Sequence, residues 1–113
     1  MPKMLAPEAI QSRPELVREL RTIMEACPPL TIEHALAAMR ERRDHTADLP
    51  SVAVPTLILV GESDAITPPK VAQAMHDGIP KSHLALIKGA GHMTPMEQPE
   101  QVNRAIRDFA FKL

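Results

Sequence analysis

Residues 55–70 read PTLILVGESDAITPPK, and residues 82–97 read SHLALIKGAGHMTPME. Each segment opens with an apolar run and continues into a loop that contains glycine. The apolar runs do not alternate between polar and apolar side chains, which is typical of strands covered on both faces in a parallel sheet. We therefore predict two parallel strands, at about 56–61 and 83–88, and an α/β fold.

The loop after each predicted strand carries one residue suited to acid–base chemistry. Asp64 follows the first strand and His92 follows the second. Loops that follow the strands of a parallel sheet emerge at the same edge, where ligands and catalytic groups lie. We expect the two side chains to meet there, with the carboxylate orienting the imidazole and the imidazole acting as a general base. Gly61, Gly89 and Gly91 are expected to permit the sharp turns around them.

A helix is predicted after each strand, at about 68–77 and about 97–111. Thr67 is the expected N-cap of the first, and Gly78 its left-handed stop. Residues connected as strand, helix, strand, helix normally form neighbouring parallel strands with a right-handed crossover. The residues expected on the buried helix faces are Val71, Ala74, Met75, Val102, Ala105, Ile106, Phe109 and Leu113.

The sequence of the first 49 residues predicts helices without strands, unlike the strand–helix order that follows. Residues 1–11 are expected to be irregular because Pro2 and Pro7 interrupt them. Two amphipathic helices follow, at about 14–26 and 31–43, with Ser12 and Thr31 as their caps. We predict that they form a helical hairpin, and that the charged run at the end of the second helix, residues 40–44, is a solvated surface.

Composition excludes several classes of function. The formal net charge of the 113 residues is −1, which gives no electrostatic case for binding nucleic acid or an anionic membrane. The single cysteine, Cys27, fits a reducing compartment, and no secretory signal is recognisable. A cytoplasmic protein without a metal site or a cofactor is therefore expected, with no membrane and no nucleic acid among its partners.

Residues 50–113 resemble the C-terminal part of the α/β-hydrolase superfamily. The acid of that family lies in a G-x-x-D-x-x-x-P loop, and its histidine lies in a G-x-G-H loop ahead of a P-x-E-x-P helix start. The matching residues are Gly61, Asp64, Pro68, Gly89, Gly91, His92, Glu97 and Pro99. The order, acid before histidine, also agrees with the family. The likeness is strongest to small-substrate esterases and enol-lactonases, and it implies that residues 1–49 are the end of a cap.

The resemblance implies a Ser-Asp-His triad for ester or lactone hydrolysis, with Asp64 and His92 as two of its members. The 113 residues contain no G-x-S-x-G nucleophile motif. Ser63 and Cys27 are poor substitutes, since neither is placed on a strand-to-helix elbow. We therefore expect a C-terminal fragment of a hydrolase that is inactive alone. Its nucleophile would come from the rest of the domain, and a small ester-type substrate would bind only to the complemented domain. Whether the chain is an enzyme is left open.

Each candidate residue also has a simpler interpretation. Asp64 alone would be a turn former, and His92 alone a surface or core residue. Met93 and Met96 flank His92 and are interpreted as pocket or packing residues, with Met93 the candidate for substrate binding. The remaining histidines are predicted to lie at the surface: His34, His45, His76 and His83.

The alternative function is a non-catalytic oligomerising or binding protein derived from the same fold. The inner predicted strand has no second neighbour within the 113 residues, and an unpaired strand edge is a template for pairing with another chain. We expect a homo-oligomer, formed either through this edge or by exchange of the helical hairpin.

Overall fold

A computed structural model describes residues 3–113. Its two strands, β1 (Thr56–Gly61) and β2 (Ser82–Ile87), form one parallel sheet. Thr56 pairs with Ser82 at one end and Gly61 with Ile87 at the other. The predicted α/β class and the parallel pairing are confirmed, with β1 at its predicted bounds and β2 beginning one residue early.

The four predicted helices are present in the predicted order, together with additional short helices. The N-terminal half contains α1 (Pro7–Ser12), α2 (Pro14–Glu25), α3 (Pro29–Glu41) and a 3-10 helix (Thr46–Ser51). The C-terminal half contains α4 (Pro69–Gly78), the short α5 (Thr94–Glu97) and α6 (Pro99–Phe111). The helix predicted at about 97–111 is confirmed as α6, and the short α5 precedes it. The additional helices are α1, the 3-10 helix and α5.

Two apolar clusters hold the sheet. Ile58 and Val60 of β1 pack against Ala72 and Ile79 on one face. On the other face, Ile87 packs with Ala90 and Val102, and Leu59 of β1 lies partly buried against them. Each strand therefore contributes to both clusters, as the unbroken apolar runs indicate.

A third cluster lies at the N-terminus. Leu5, Ala6 and Ala9 pack against Leu16 and Leu20 of α2. Met93 and Met96 are partly buried against this cluster, so the N-terminal helices rest directly on the loop that contains His92. This contact fixes where the N-terminal segment lies relative to the sheet.

The N-terminal prediction is wrong in part. Residues 7–12 form α1, because Pro7 stands in the first turn, where its missing N–H is no loss. Ser12 ends α1 and donates to the carbonyl of Glu8, so it does not cap α2. Helix α3 begins at Pro29, and Thr31 makes no cap. Pro2 lies outside the described residues.

The predicted buried faces are also wrong in several places. Every residue of α3 except the half-buried Ala37 is exposed, and α3 therefore does not pack into the expected hairpin. Ala72 is the buried residue of α4, whereas Val71, Ala74 and Met75 are exposed. Val71 and Met75 line the open cleft beside β1, so part of each side chain faces unfilled space. In α6 and beyond it, Ile106 and Leu113 are exposed as well.

Three local details differ from the expected backbone geometry. The N-cap of α4 is Pro68, since the hydroxyl of Thr67 is used elsewhere. Gly78 is helical and does not have a positive φ; in the described chain only Gly89 does, at 74°. Gly61 and Gly91 are required by close packing, as described below.

Candidate active site

The loop after β1 holds Asp64 in a fixed orientation. Its Oδ1 accepts hydrogen bonds from the backbone N–H groups of Ile66 at 2.9 Å and Thr67 at 3.0 Å. Its Oδ2 accepts the hydroxyl of Thr67 at 3.1 Å. This is the side-chain-to-backbone turn that aspartate favours, so the turn-forming role of Asp64 is present. It leaves the carboxylate facing the loop after β2.

The loop after β2 is docked on the loop after β1. The N–H of Ser63 donates to the carbonyl of Ala90 at 2.9 Å. A Cβ at Gly61 would lie 2.5 Å from that same oxygen and would overlap the carbonyl of Gly91 as well. Glycine is therefore needed at position 61 for close approach, and the approach brings His92 to the acid.

His92 and Asp64 form a hydrogen-bonded pair. His92 Nδ1 lies 3.1 Å from Asp64 Oδ2 and 3.3 Å from Oδ1. An ionised carboxylate only accepts hydrogen bonds, so Nδ1 carries the proton in the neutral imidazole and the lone pair is on Nε2. The Asp64 side chain is 5 % exposed and that of His92 34 % exposed. The acid is thus buried behind a histidine that faces the solvent.

The pKa of Asp64 reflects opposing influences. Burial is the largest and raises it, because it disfavours the charged form. The backbone hydrogen bond from Thr67, the hydrogen bond from His92 and the backbone hydrogen bond from Ile66 act against burial, and so does the charge of His92. Together they hold the pKa below its ordinary value of 3.8. Asp64 is therefore ionised at neutral pH, as an orienting acid must be.

A cleft of about 270 Å³ opens beside this pair. Residues Ile58–Gly61 of β1 line one wall, and Asp64, Thr67 and His92 line another. Thr67 Oγ1 also lies 3.4 Å from His92 Nδ1, which places this hydroxyl against both members of the pair. The unpaired side of β1 and the acid–base pair thus share one opening.

Met93 lies apart from this opening. It is partly buried against the cluster of Leu5, Ala6 and Leu20, together with Met96. It is not among the residues that line the cleft of about 270 Å³. The contacts of the Met93 side chain are packing contacts, and its role in substrate binding stays a prediction.

The other chemically active residues do not join the pair. His34, His45 and His83 are exposed, as predicted. His76, in the last turn of α4, is half-buried instead, and its Nδ1 lies 2.7 Å from the hydroxyl of Ser82 at the start of β2. Among residues 3–113, no group of three or more His, Cys, Asp and Glu side chains is arranged to hold a metal ion.

Sequence reasoning missed two residues around the site. Thr67 was expected to cap α4, yet its hydroxyl binds Asp64. Glu97 was expected only to mark a helix start, yet it is 1 % exposed and accepts the N–H of Gly91. No signal in the sequence marks this burial, because a glutamate is almost never fully buried unless it is paired, and one of its partners, Ala6, is 91 positions away.

Comparison with known proteins agrees with this geometry. Residues 27–112 match the family described as TAP-like protein, which is part of the α/β-hydrolase superfamily. The chain therefore belongs to the TAP-like family of α/β-hydrolases. The two parallel strands and their helices correspond to the C-terminal part of that fold.

Three relatives illustrate the similarity. An esterase from Thermogutta terrifontis, solved with malate bound, is 40% identical and superimposes with a TM-score of 0.95 over 98% of this chain. Est816, described as an N-acyl homoserine lactone degrading enzyme, is 25% identical with a TM-score of 0.77 over 95% of this chain. The AB hydrolase superfamily protein YisY of Bacillus subtilis strain 168 is 35% identical over 91 residues, 80% of this chain.

The chain is much shorter than these relatives. It spans 41% of the Thermogutta esterase, 43% of Est816 and 33% of YisY. The residues of this chain that match the family, 27–112, include both strands and the Asp64–His92 pair. In residues 3–113, no helix is long and apolar enough to span a bilayer.

Proposed function

We propose that this chain supplies the orienting acid and the general base of a serine-type hydrolase of carboxylic esters or lactones. The observation that carries the proposal is the hydrogen bond of 3.1 Å between His92 Nδ1 and Asp64 Oδ2, at the mouth of a cleft. Asp64 is the orienting acid and His92 the base. The nucleophile belongs to a part of a hydrolase domain that these 113 residues do not contain, since they have no G-x-S-x-G motif.

The geometry suits one sequence of proton transfers. His92 Nε2, with its lone pair free, accepts the proton of a hydroxyl nucleophile as that oxygen attacks the ester carbonyl. Asp64, ionised and buried, stabilises the imidazolium that results. The imidazolium then gives its proton to the departing alcohol. The acyl group is then bonded to the nucleophile. His92 takes a proton from water as the water attacks this acyl ester, the carboxylic acid departs, and the imidazolium returns the proton to the nucleophile.

The substrate class rests on the relatives. The Thermogutta protein is described as an esterase and Est816 as a lactone-degrading enzyme. Both ester and lactone carbonyls react through a tetrahedral oxyanion, and the same base serves either. We infer an ester-type substrate whose carbonyl would lie at the cleft of about 270 Å³ beside His92.

A chimera tests this proposal. The matching part of the Thermogutta esterase is replaced by this chain, and hydrolysis of p-nitrophenyl acetate is compared with that of the isolated chain. We expect turnover by the chimera and only background by the isolated chain. A chimera that folds, as judged by circular dichroism, yet hydrolyses nothing would contradict the proposal.

The second candidate function is self-association without catalysis. It is favoured by the exposed apolar side chains of α3, among them Leu30 at 60 % and Leu36 at 57 %, and by the unpaired edge of β1. A second copy of this chain that pairs along β1 would continue the sheet. Light scattering at low concentration tests this, with a dimer expected and a folded monomer as the contrary result.

A further inference from the structure

Glu97 is a buried carboxylate that the acid–base pair does not use. It ends α5. Counted over the whole residue, Glu97 is 1 % exposed and Asp64 is 7 % exposed, so Glu97 is the more buried of the two. A buried charge is costly unless hydrogen bonds compensate for the lost water. Its partners therefore show what the carboxylate is for.

Three backbone N–H groups surround this carboxylate. Oε2 accepts from Gly91 at 2.9 Å and from Met93 at 3.1 Å, the residues on either side of His92. Oε1 accepts from Ala6 at 2.6 Å, a residue far away in the sequence. All three partners are donors, and an ionised carboxylate, which only accepts, matches them fully.

The same region joins the N-terminal segment to the histidine loop through the main chain. The carbonyl of Met4 accepts from the N–H groups of His92 at 3.0 Å and Met93 at 3.2 Å. Arg13 Nη1 donates to the backbone carbonyl of Glu97 at 2.6 Å. The packing here is tight, since a Cβ at Gly91 would lie 2.7 Å from the nitrogen of Ala6.

We propose that Glu97 is a positioning residue for His92. Its Oε2 accepts hydrogen bonds from the residues just before and just after the histidine, and its Oε1 accepts one from residue 6. The imidazole is thereby held where Nδ1 reaches Asp64. The role as a positioning residue rests on the proposed function of His92 as a base, but its test requires no ester turnover.

Glu97→Gln is the informative variant. Glutamine has the same shape, but one oxygen becomes an NH₂ group that must face an N–H donor, so at least one of the three hydrogen bonds is lost. Glu100→Gln is the matched control, because Glu100 is exposed in the first turn of α6. Both variants lose one negative charge, and only one of them disturbs the loop.

The readouts are two NMR measurements on the whole chain. The first is the signal of the His92 Nδ1 proton in its hydrogen bond to Asp64. The second is amide exchange at Ala6 and Gly91, because the N–H of Met93 also donates to the carbonyl of Met4. In Glu97→Gln we expect the first signal to be lost or shifted. We also expect exchange to rise about tenfold or more at Ala6 or at Gly91, whichever faces the new NH₂ group, as for a lost charge-assisted hydrogen bond. Glu100→Gln is expected to match the unmodified chain in both.

Two results would overturn the proposal. One is a Glu97→Gln variant with an unchanged His92–Asp64 signal, even if exchange at Gly91 rises, because Glu97 would then be structural only. The other is measured on the unmodified chain and serves if the variant does not fold. There the amides of Gly91 and Met93 must exchange far more slowly than in an unstructured chain. Fast exchange at these amides would show that Glu97 does not hold the histidine loop. Neither NMR measurement depends on ester turnover by the chimera. The positioning role of Glu97 and the proposed catalytic function can therefore each fail without the other.

Discussion

Replacing Gly61 with alanine would insert a methyl group where the histidine loop already lies. The added Cβ would be 2.5 Å from the carbonyl oxygen of Ala90 and would overlap that of Gly91. Both obstacles are backbone atoms and neither can swing aside as a side chain tip would. Because Gly61 does not have a positive φ, the effect is one of space and not of backbone conformation.

The loss of stability in Gly61→Ala comes from moving the histidine loop away from β1. Overpacking of this kind typically costs about 1–3 kcal/mol. The displacement also separates Ser63 N from Ala90 O, now 2.9 Å apart, and a lost hydrogen bond adds about 1 kcal/mol. We expect Gly61→Ala to lower the free energy of unfolding by about 2–4 kcal/mol, out of a total of about 5–15 kcal/mol for an ordinary domain.

Urea unfolding followed by far-ultraviolet circular dichroism measures this loss. For a small domain the unfolding midpoint should fall by about 1–2 M. Gly78→Ala is the control, since Gly78 lies in α4 and its added Cβ meets only the side chain of Leu49, at 3.0 Å and beyond. Helix propensity offsets that crowding, so its change should stay within about 1 kcal/mol. A Gly61→Ala midpoint equal to that of the unmodified chain would refute the close approach of the two loops.

Three further predictions concern the pair and the packing. The pKa of Asp64 is held below 3.8 in the folded chain, so its contribution to stability is complete above that pH and is lost as the pH falls through the folded pKa. Asp64→Asn should flatten the decline of stability with acid, and an unchanged acid limb in urea titrations at several pH values would contradict this. Thr67→Val removes the hydroxyl that donates to Asp64 Oδ2 and should cost about 1 kcal/mol in urea unfolding, while equal stability would show that water replaces it. Leu20→Ala empties a site that is 2 % exposed and should cost about 2–5 kcal/mol by thermal unfolding, against about 0.5 kcal/mol or less for Leu30→Ala at 60 % exposed; similar losses in both would contradict the N-terminal cluster.

The central sheet was predictable because its signal is local. An unbroken apolar run ending at Gly61 defines β1, and the same pattern defines β2 to within one residue. The meeting of Asp64 and His92 then follows from the geometry of parallel strands, whose loops emerge at one edge. The strands and the meeting of the acid with the histidine can therefore be predicted without knowing which distant residues pack together.

The N-terminal half was less predictable because its burial is decided by distant partners. Leu16 and Leu20 of α2 are buried against Leu5 and Ala9, whereas Ile23, about one turn further along the same side of the helix, is 55 % exposed. Helical periodicity identifies an apolar face but not whether anything covers it. For α3, nothing within residues 3–113 does.

The role of Glu97 was beyond the reach of sequence patterns. Its hydrogen bond to Ala6 joins residues 91 positions apart, and no local rule connects them. Pro7 misled the prediction for the opposite reason, since a breaker inside a helix is a favourable residue at its first turn. Both errors arise where tertiary contacts or helix position, and not residue type, decide the outcome.

The measurement that bears most directly on the Asp64–His92 pair is the loss of ester turnover on removal of His92 in the chimera with the Thermogutta esterase. His92→Ala should lower kcat for p-nitrophenyl acetate by about a thousandfold or more, because the nucleophile then has no base. His83→Ala, at an exposed histidine of β2, should leave kcat unchanged. If both variants retain the same turnover in a folded chimera, the pair is not the catalytic acid and base.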